Sequence, residues 1–260
     1  MRSPVLLERP VSRAALWCRR LAIFALAVGG VGVAITRLRI VEVPAGMAVF
    51  ASAIVIDCIV LLLAGAACVS MWRTGRRGVR PVIIGVGVAL SLLAMPAWLA
   101  AQALRLPVLN DVSTDTRDPP TFSQSRAALE ARGGRVPPSP LPSNAIVQRA
   151  AYPDVQPILV ELEADEAFAI ALKAAQARGW TIVDRAAPGS GRSGLGHIDA
   201  VDRTLIMGFP DDITIRVKPL AGQTRIDVRS VSRYGRNDFG DNAKRIGAFA
   251  RELQAQLDTK

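Results

Sequence analysis

The side chains best suited to chemistry lie near the C-terminus of this 260-residue chain, and most are arginines, aspartates and serines. Arg216, Asp227 and Arg229 fall on two neighbouring segments that alternate apolar with polar residues. Ser230, Ser232 and Arg233 follow directly, then Asp238, Asn242 and Arg245. Guanidinium groups grip phosphate or carboxylate through paired N–H donors, so such a cluster could hold an anionic ligand or partner. Two structural readings compete with that one. The cluster can be a ladder of cross-strand ion pairs, each worth about 0–1 kcal/mol when exposed. Alternatively, Asp111, Asp115 and Asp118 in the preceding proline-rich segment meet the arginines and pin residues 106–122 across their face.

Other groups carry weaker signals. Gly235–Asn242 is a loop entering a helix, where free backbone N–H groups can bind an anion. Asp238 and Asp241 would oppose an anion there, and capping is their ordinary role. Pro188–Gly196 is rich in Gly and Ser but lacks the Gly-Lys-Ser/Thr ending of a phosphate loop and does not open a helix, so it reads as a flexible hairpin loop. His197 is the single histidine; on paper it pairs with Ser230 or Ser232, but nothing in the sequence fixes that geometry. Asp211-Asp212 follow Pro210, a composition that predicts a turn. Cys18, Cys58 and Cys68 all lie in the first half, which excludes a disulfide framework or cysteine zinc site in the second. No metal and no cofactor is expected.

The elements that must position these groups read as β-α-β-β-β-β-α. Ile158–Leu162 predicts a strand, Asp165 caps an amphipathic helix ending at Gly179, and Thr181–Asp184 predicts a second strand. A long strand from His197 to Phe209 follows, then Ile213–Val217 and Thr224–Arg233, and a closing helix starts near Asp241 or Asn242. Short turns between consecutive strands imply an antiparallel sheet, and two amphipathic helices imply that one face is covered. The fold class is therefore α+β, with the Arg-rich face left open. Upstream, residues 105–157 read as a proline-rich linker or strap, with one short helix near Ser125–Arg132 and dense proline at 136–142.

The first 104 residues differ in kind. Apolar runs span Leu21–Thr36, Ala45–Trp72 and Val82–Leu104, and about 20 apolar residues suffice to cross a bilayer. Residues 1–105 hold twelve Arg and three acids, a net of +9, whereas residues 106–260 hold twenty basic and nineteen acidic groups, a net of +1. Basic charge beside apolar runs sets membrane orientation, so nucleic acid is not an expected partner and the lipid bilayer is. Arg2, Arg9, Arg13, Arg19 and Arg20 precede the first run; Arg73, Arg76, Arg77 and Arg80 separate the second from the third; only Arg37 and Arg39 lie between. That pattern predicts a cytoplasmic N-terminus and everything beyond Leu104 outside. The first run could instead be a cleaved signal, but no good cleavage site follows it. Asp57, deep in the second run, costs about 2.5–3.5 kcal/mol to insert. It reads as an interhelical hydrogen-bond partner, to Ser52, Ser70 or Ser91, or as a proton relay. Arg outnumbers Lys 28 to 4, as in GC-rich bacterial genomes.

The run from Gly208 to Ile246 resembles the bacterial and plastid family known as domain of unknown function 1499, on the spacing of Asp227, Arg229, Ser230, Ser232, Arg233, Gly235, Asp238, Gly240, Asn242 and Arg245. The resemblance covers most of residues 106–258 and implies domain boundaries but no activity. The strand order also looks like helix-grip domains of outer-membrane assembly lipoproteins, at the level of fold alone. The chain is thus expected to be a bacterial inner-membrane protein: an anchor (1–104), a linker or strap (105–157) and a periplasmic α+β domain (158–260). The leading expectation is a non-enzymatic envelope binding or scaffold module, meeting an anionic envelope ligand or another envelope protein. The alternatives are a transport accessory using Asp57 and a hydrolase using Asp and Arg residues of 208–246.

Overall fold

The structure, a computed structural model, describes residues 10–190 and 194–259. Arg2 and Arg9 of the leader, and the centre of the Gly/Ser-rich loop at 191–193, lie outside the described residues. The chain divides into two compact units, one built mainly from the N-terminal helices and one from Gln102 onward.

The first unit contains α1 (Arg13–Arg37), α2 (Val43–Thr74) and α3 (Val79–Arg105), each long and apolar enough to cross a membrane. Pro44 lies in the first turn of α2, where a missing N–H costs nothing, and Gly75 ends that helix in the left-handed conformation. α3 continues through Pro96. Small residues let the helices touch. A Cβ on Gly32 would lie 2.9 Å from the backbone nitrogen of Phe50, and one on Gly46 would overlap Thr36 Oγ1. One on Gly85 would meet Cys18 Sγ and lie 3.1 Å from the backbone nitrogen of Arg19. Close backbone approach of this kind at small residues is how helices of such apolar character pack on one another.

The second unit is an antiparallel sheet with its two long helices on one face. Its elements are β1 (Asp111–Ser113), α4 (Arg126–Ala131), α5 (Pro142–Ala151), β2 (Ile158–Val160), α6 (Ala164–Ala177), β3 (Thr181–Ala186), β4 (Gly196–Arg203), β5 (Pro210–Leu220), β6 (Gln223–Ser232) and α7 (Asp241–Asp258). The sheet runs β1-β6-β5-β4-β3, and β2 also pairs with β6. β1 covers Arg229–Val231 of β6 and β2 covers Thr224–Ile226, so two short segments share and close one strand edge. α6 and α7 pack on the face that carries Ile198, Ile213, Ile215, Val217, Ile226 and Val228. Alanines 171, 174 and 175 bring α6 close to it, and Trp180 stacks on Phe249 at 5.3 Å.

Several expectations need correction. The long strand expected over 197–209 stops at Arg203, and residues 204–209 make the turn, with the Thr204 N–H donating to the Phe209 carbonyl. Pro210-Asp211-Asp212 does not turn the chain; it begins β5. Strand alternation sends the two carboxylates to opposite faces, and each meets an arginine there, Asp211 with Arg245 and Asp212 with Arg233. Counter-charge overrides the turn preference of the isolated residues. The proline-dense segment also contains α5, because Pro142 sits in the first turn, the one place where a helix accepts proline. Lastly, the capping position of α6 is Glu163, with Asp165 in its first turn.

Replacing Gly32 by Val forces a side chain onto the Phe50 backbone and is expected to cost about 1–3 kcal/mol. Gly65→Ala, with open space beyond it, is the control. Thermal unfolding of the full chain in detergent checks both: a clear drop for the first and none for the second.

Candidate functional site

The two sheet faces are made by strand parity. On β6, Arg225, Asp227, Arg229 and Val231, and Arg233 just past its end, point away from the two long helices, while Thr224, Ile226, Val228, Ser230 and Ser232 point toward them. Cross-strand neighbours extend the first set with Asp212, Thr214 and Arg216 of β5 and with His197 and Asp199 of β4. The structure therefore separates the sequence candidates. Arg216, Asp227, Arg229 and Arg233 lie on the outer face, whereas Ser230, Ser232, Asn242 and Arg245, with Asp238 in the loop before α7, belong to the inner one.

The outer face is closed by residues 111–132. Asp111 takes a bidentate pair of hydrogen bonds from Arg229, at 3.0 and 2.8 Å, and both groups are buried. Arg229 also donates to the carbonyls of Pro120 and Pro138. Arg216 reaches Asp227 at 2.8 Å on its own sheet and both the carboxylate and the carbonyl of Asp118, each at 2.8 Å. Arg225 bridges Asp227 and Asp115. Further along, two guanidiniums lie over the Phe122 ring, that of Arg132 at 4.9 Å and that of Arg229 at 5.1 Å from its centroid. Arg132, 1 % exposed, bonds Asp199 and donates to the Ser123 carbonyl. Of the three readings of the arginine cluster, the geometry fits the acidic strap. The face is not open.

A bulge in β3 completes the strap's seat. The β3–β4 register shifts between Ile182 and Asp184, which turns Asp184 to the outer face opposite Asp199. Ser123 then donates its hydroxyl to Asp184 and its backbone N–H to Asp199. His197 also meets Asp184, at 3.2 Å. Histidine and serine thus share an aspartate and do not form a serine–histidine pair. Ser230 and Ser232 are on the other face of the sheet from His197, so neither can use it as a base.

On the inner face, Arg245 binds Asp202 at 2.7 Å, Asp211, the Ser230 hydroxyl at 3.1 Å and the Asn242 carbonyl oxygen at 2.6 Å. The Ser230 hydroxyl also donates to Asn242, whose amide donates to Ser232 and to the Asn110 carbonyl. Asp238 accepts from the N–H groups of Gly240 and Asn242 at 2.9 Å, which makes it the side-chain cap of α7. The network ties α7 to β6 and to the strap's first residues. Among the described residues, no group of three or more His, Cys, Asp or Glu is arranged to hold a metal.

In the helical unit Asp57 is fully buried, with neither carboxylate oxygen hydrogen-bonded among the described residues. The expected bond to a serine is not made; the Ser52 and Ser91 hydroxyls donate to carbonyls of their own helices instead. Arg132, Phe122, Ser123, Asp184 and Asp199 are functional neighbours that the sequence pattern does not single out. Of these, Phe122, the lone aromatic in a Pro/Ser-rich stretch, carries a signal of a docked strap, beside the aspartates already named.

Titration separates the two faces. Burial raises Asp184, but hydrogen bonds from Ser123, Ser125 and His197, with the histidine's charge, outweigh it and leave the carboxyl below its ordinary value. Asp115 behaves alike: burial is outweighed by the N–H groups of Asp118 and Arg117 and by Arg225 and Arg216. On the inner face, burial holds Asp211 above its ordinary value despite Arg245. A depressed folded-state pKa gives stability that is present above the unfolded value and lost as pH falls through the folded one. Strap docking is therefore expected to loosen below about pH 4, read as faster hydrogen exchange of residues 111–132. Asp115→Asn should shrink that acid-dependent change. At neutral pH, Asp111→Ala strands a buried Arg229 and should cost about 3–5 kcal/mol. Asp118→Ala, whose carboxylate side chain is 77 % exposed, should cost at most about 1 kcal/mol. Equal effects in urea unfolding of the two variants would contradict the assignment of Asp111 as the buried clasp.

A search of the curated proteins finds no match to this chain. A family model does match, over residues 111–253, which run from the strap's first strand to the last buried turn of α7 and take in both networks. The chain belongs to the family described as protein of unknown function DUF1499.

Proposed function

We propose that this protein is a bacterial inner-membrane protein that displays a non-enzymatic binding or scaffold module in the periplasm. Three helices able to cross a membrane precede the folded domain. Arginine placement supports the orientation: Arg73, Arg76, Arg77 and Arg80 crowd the connection from α2 to α3, against Arg37 and Arg39 between α1 and α2. With an odd number of spans and the basic connection retained in the cytoplasm, the domain falls outside.

The observation that carries the binding reading is the seated strap. Arg216, Arg229 and Arg233 are bound to aspartates of the same unit, so the cluster builds the module's frame and contributes no free reactive group. The partner remains of the class the sequence suggests, an anionic envelope ligand or another envelope protein, and it meets the module outside the closed sheet face.

Fusing alkaline phosphatase, active only in an oxidising compartment, after residue 259 is expected to give enzyme activity in intact cells. A green fluorescent protein fusion at the same point should stay dark. The reverse pattern would place the domain in the cytosol and overturn the envelope reading.

A further inference from the structure

The arginines of the sheet face have carboxylates; two arginines at the strap's outer edge do not. Arg117 and Arg149 both line a cleft of about 440 Å³, bounded by the strap, the proline run at 139–142 and the first two turns of α5. Small-ligand sites commonly span about 300–1,000 Å³. Arg149 donates to the Thr116 hydroxyl at 2.9 Å, which ties its guanidinium to the residue next to Arg117. Neither arginine forms an ion pair among the described residues. Both are exposed.

The cleft's floor is already satisfied and fixed. Its one acid, Asp111, is held by Arg229 through two hydrogen bonds. Gln148 is buried, with its amide oxygen accepting from the Ser113 N–H and its amide nitrogen donating to the Ser113 carbonyl. The remaining charge facing the cleft is two guanidiniums. The start of α5 has no side-chain cap, so its positive end adds to them. Ser139 and Asn144 supply further polar groups, and Pro119 and Pro140 form stiff walls. Two unpaired cations held in one cleft repel each other, and a doubly charged oxyanion removes that repulsion while accepting from both forks.

We propose that this cleft binds a small organic phosphate ester, its phosphate between Arg117 and Arg149 and its hydroxylated remainder against Ser139 and Asn144. This deepens the binding-module reading and rests on it. The phosphate ester is either a free solute or the headgroup of an anionic phospholipid; the chemistry at the cleft is the same.

The test uses the full chain in phosphatidylcholine nanodiscs, titrated calorimetrically with glycerol 3-phosphate and, separately, with glycerol. Saturable binding of the first alone is expected. R117Q/R149Q together should weaken it roughly tenfold or more, with hydrogen exchange of residues 111–132 unchanged, and R251Q, on α7, should leave it intact. Discs containing phosphatidylglycerol separate the sources. A weaker apparent affinity for glycerol 3-phosphate there means that the headgroup occupies the cleft, and an unchanged one means a free ester; either supports the site. No saturable binding to the wild-type chain in phosphatidylcholine discs, or wild-type affinity in the double variant, overturns it. Such a failure leaves the phosphatase fusion's result standing, and a cytosolic fusion result leaves the titration standing, so the two readings fail separately.

Discussion

A sheet face lined with charge can be buried only if every charge meets its opposite, and that constraint organises this domain. Five guanidiniums, of Arg132, Arg216, Arg225, Arg229 and Arg233, interleave with six carboxylates, of Asp111, Asp115, Asp118, Asp199, Asp212 and Asp227. The surplus carboxylate is Asp118, the one that remains largely in water. Half of those acids, and the arginine inserted deepest, come from the strap. The strap is therefore part of the fold: without it Arg229 loses Asp111 and the buried Asp199 loses Arg132, and a buried charge stripped of its partner is costly. Phe122 adds a cation–π contact to each of the Arg132 and Arg229 guanidiniums.

Much of this is legible in the sequence because strand parity is strict. Once β5 and β6 are read as alternating, Arg216, Asp227 and Arg229 must share a face and Ser230 and Ser232 must leave it. What parity alone does not supply is what lies over each face. The sequence names Asp111, Asp115 and Asp118 as candidate partners for the arginines, but it offers that docking beside an open anion-binding face with nothing to choose between them. The choice depends on Arg132, whose burial against Asp199 is a contact across 67 residues. It depends equally on the bulge at Val183, a one-residue register change with no compositional mark.

The misread segments share a cause. Pro210-Asp211-Asp212 carries local turn preferences, yet each carboxylate is pulled into a strand by an arginine distant in sequence. Pro142 marks a break when proline is counted and a helix start when its position is considered. In the first, tertiary ion pairs outweigh a strand propensity of about 1 kcal/mol; in the second, proline's cost of about 3 kcal/mol inside a helix does not arise in the first turn. The long apolar helices are easier, since about twenty apolar residues in a row need no tertiary context. Their packing is not legible: Gly32, Gly46 and Gly85 look like any other small residue in an apolar run until a neighbouring helix is brought against them.

A closed face also changes where recognition can occur. Charges already paired in a dry interior are poor bait, because an incoming anion must displace a carboxylate that is covalently tethered and therefore present at high effective concentration. Free charge is useful only where no tethered acid reaches it. At the strap's edge, α5 presents Arg149 beside Thr116, the residue next to Arg117. The strap's acids are engaged by Arg216, Arg225 and Arg229, and the cleft beside that neutralised face is lined by Arg117 and Arg149.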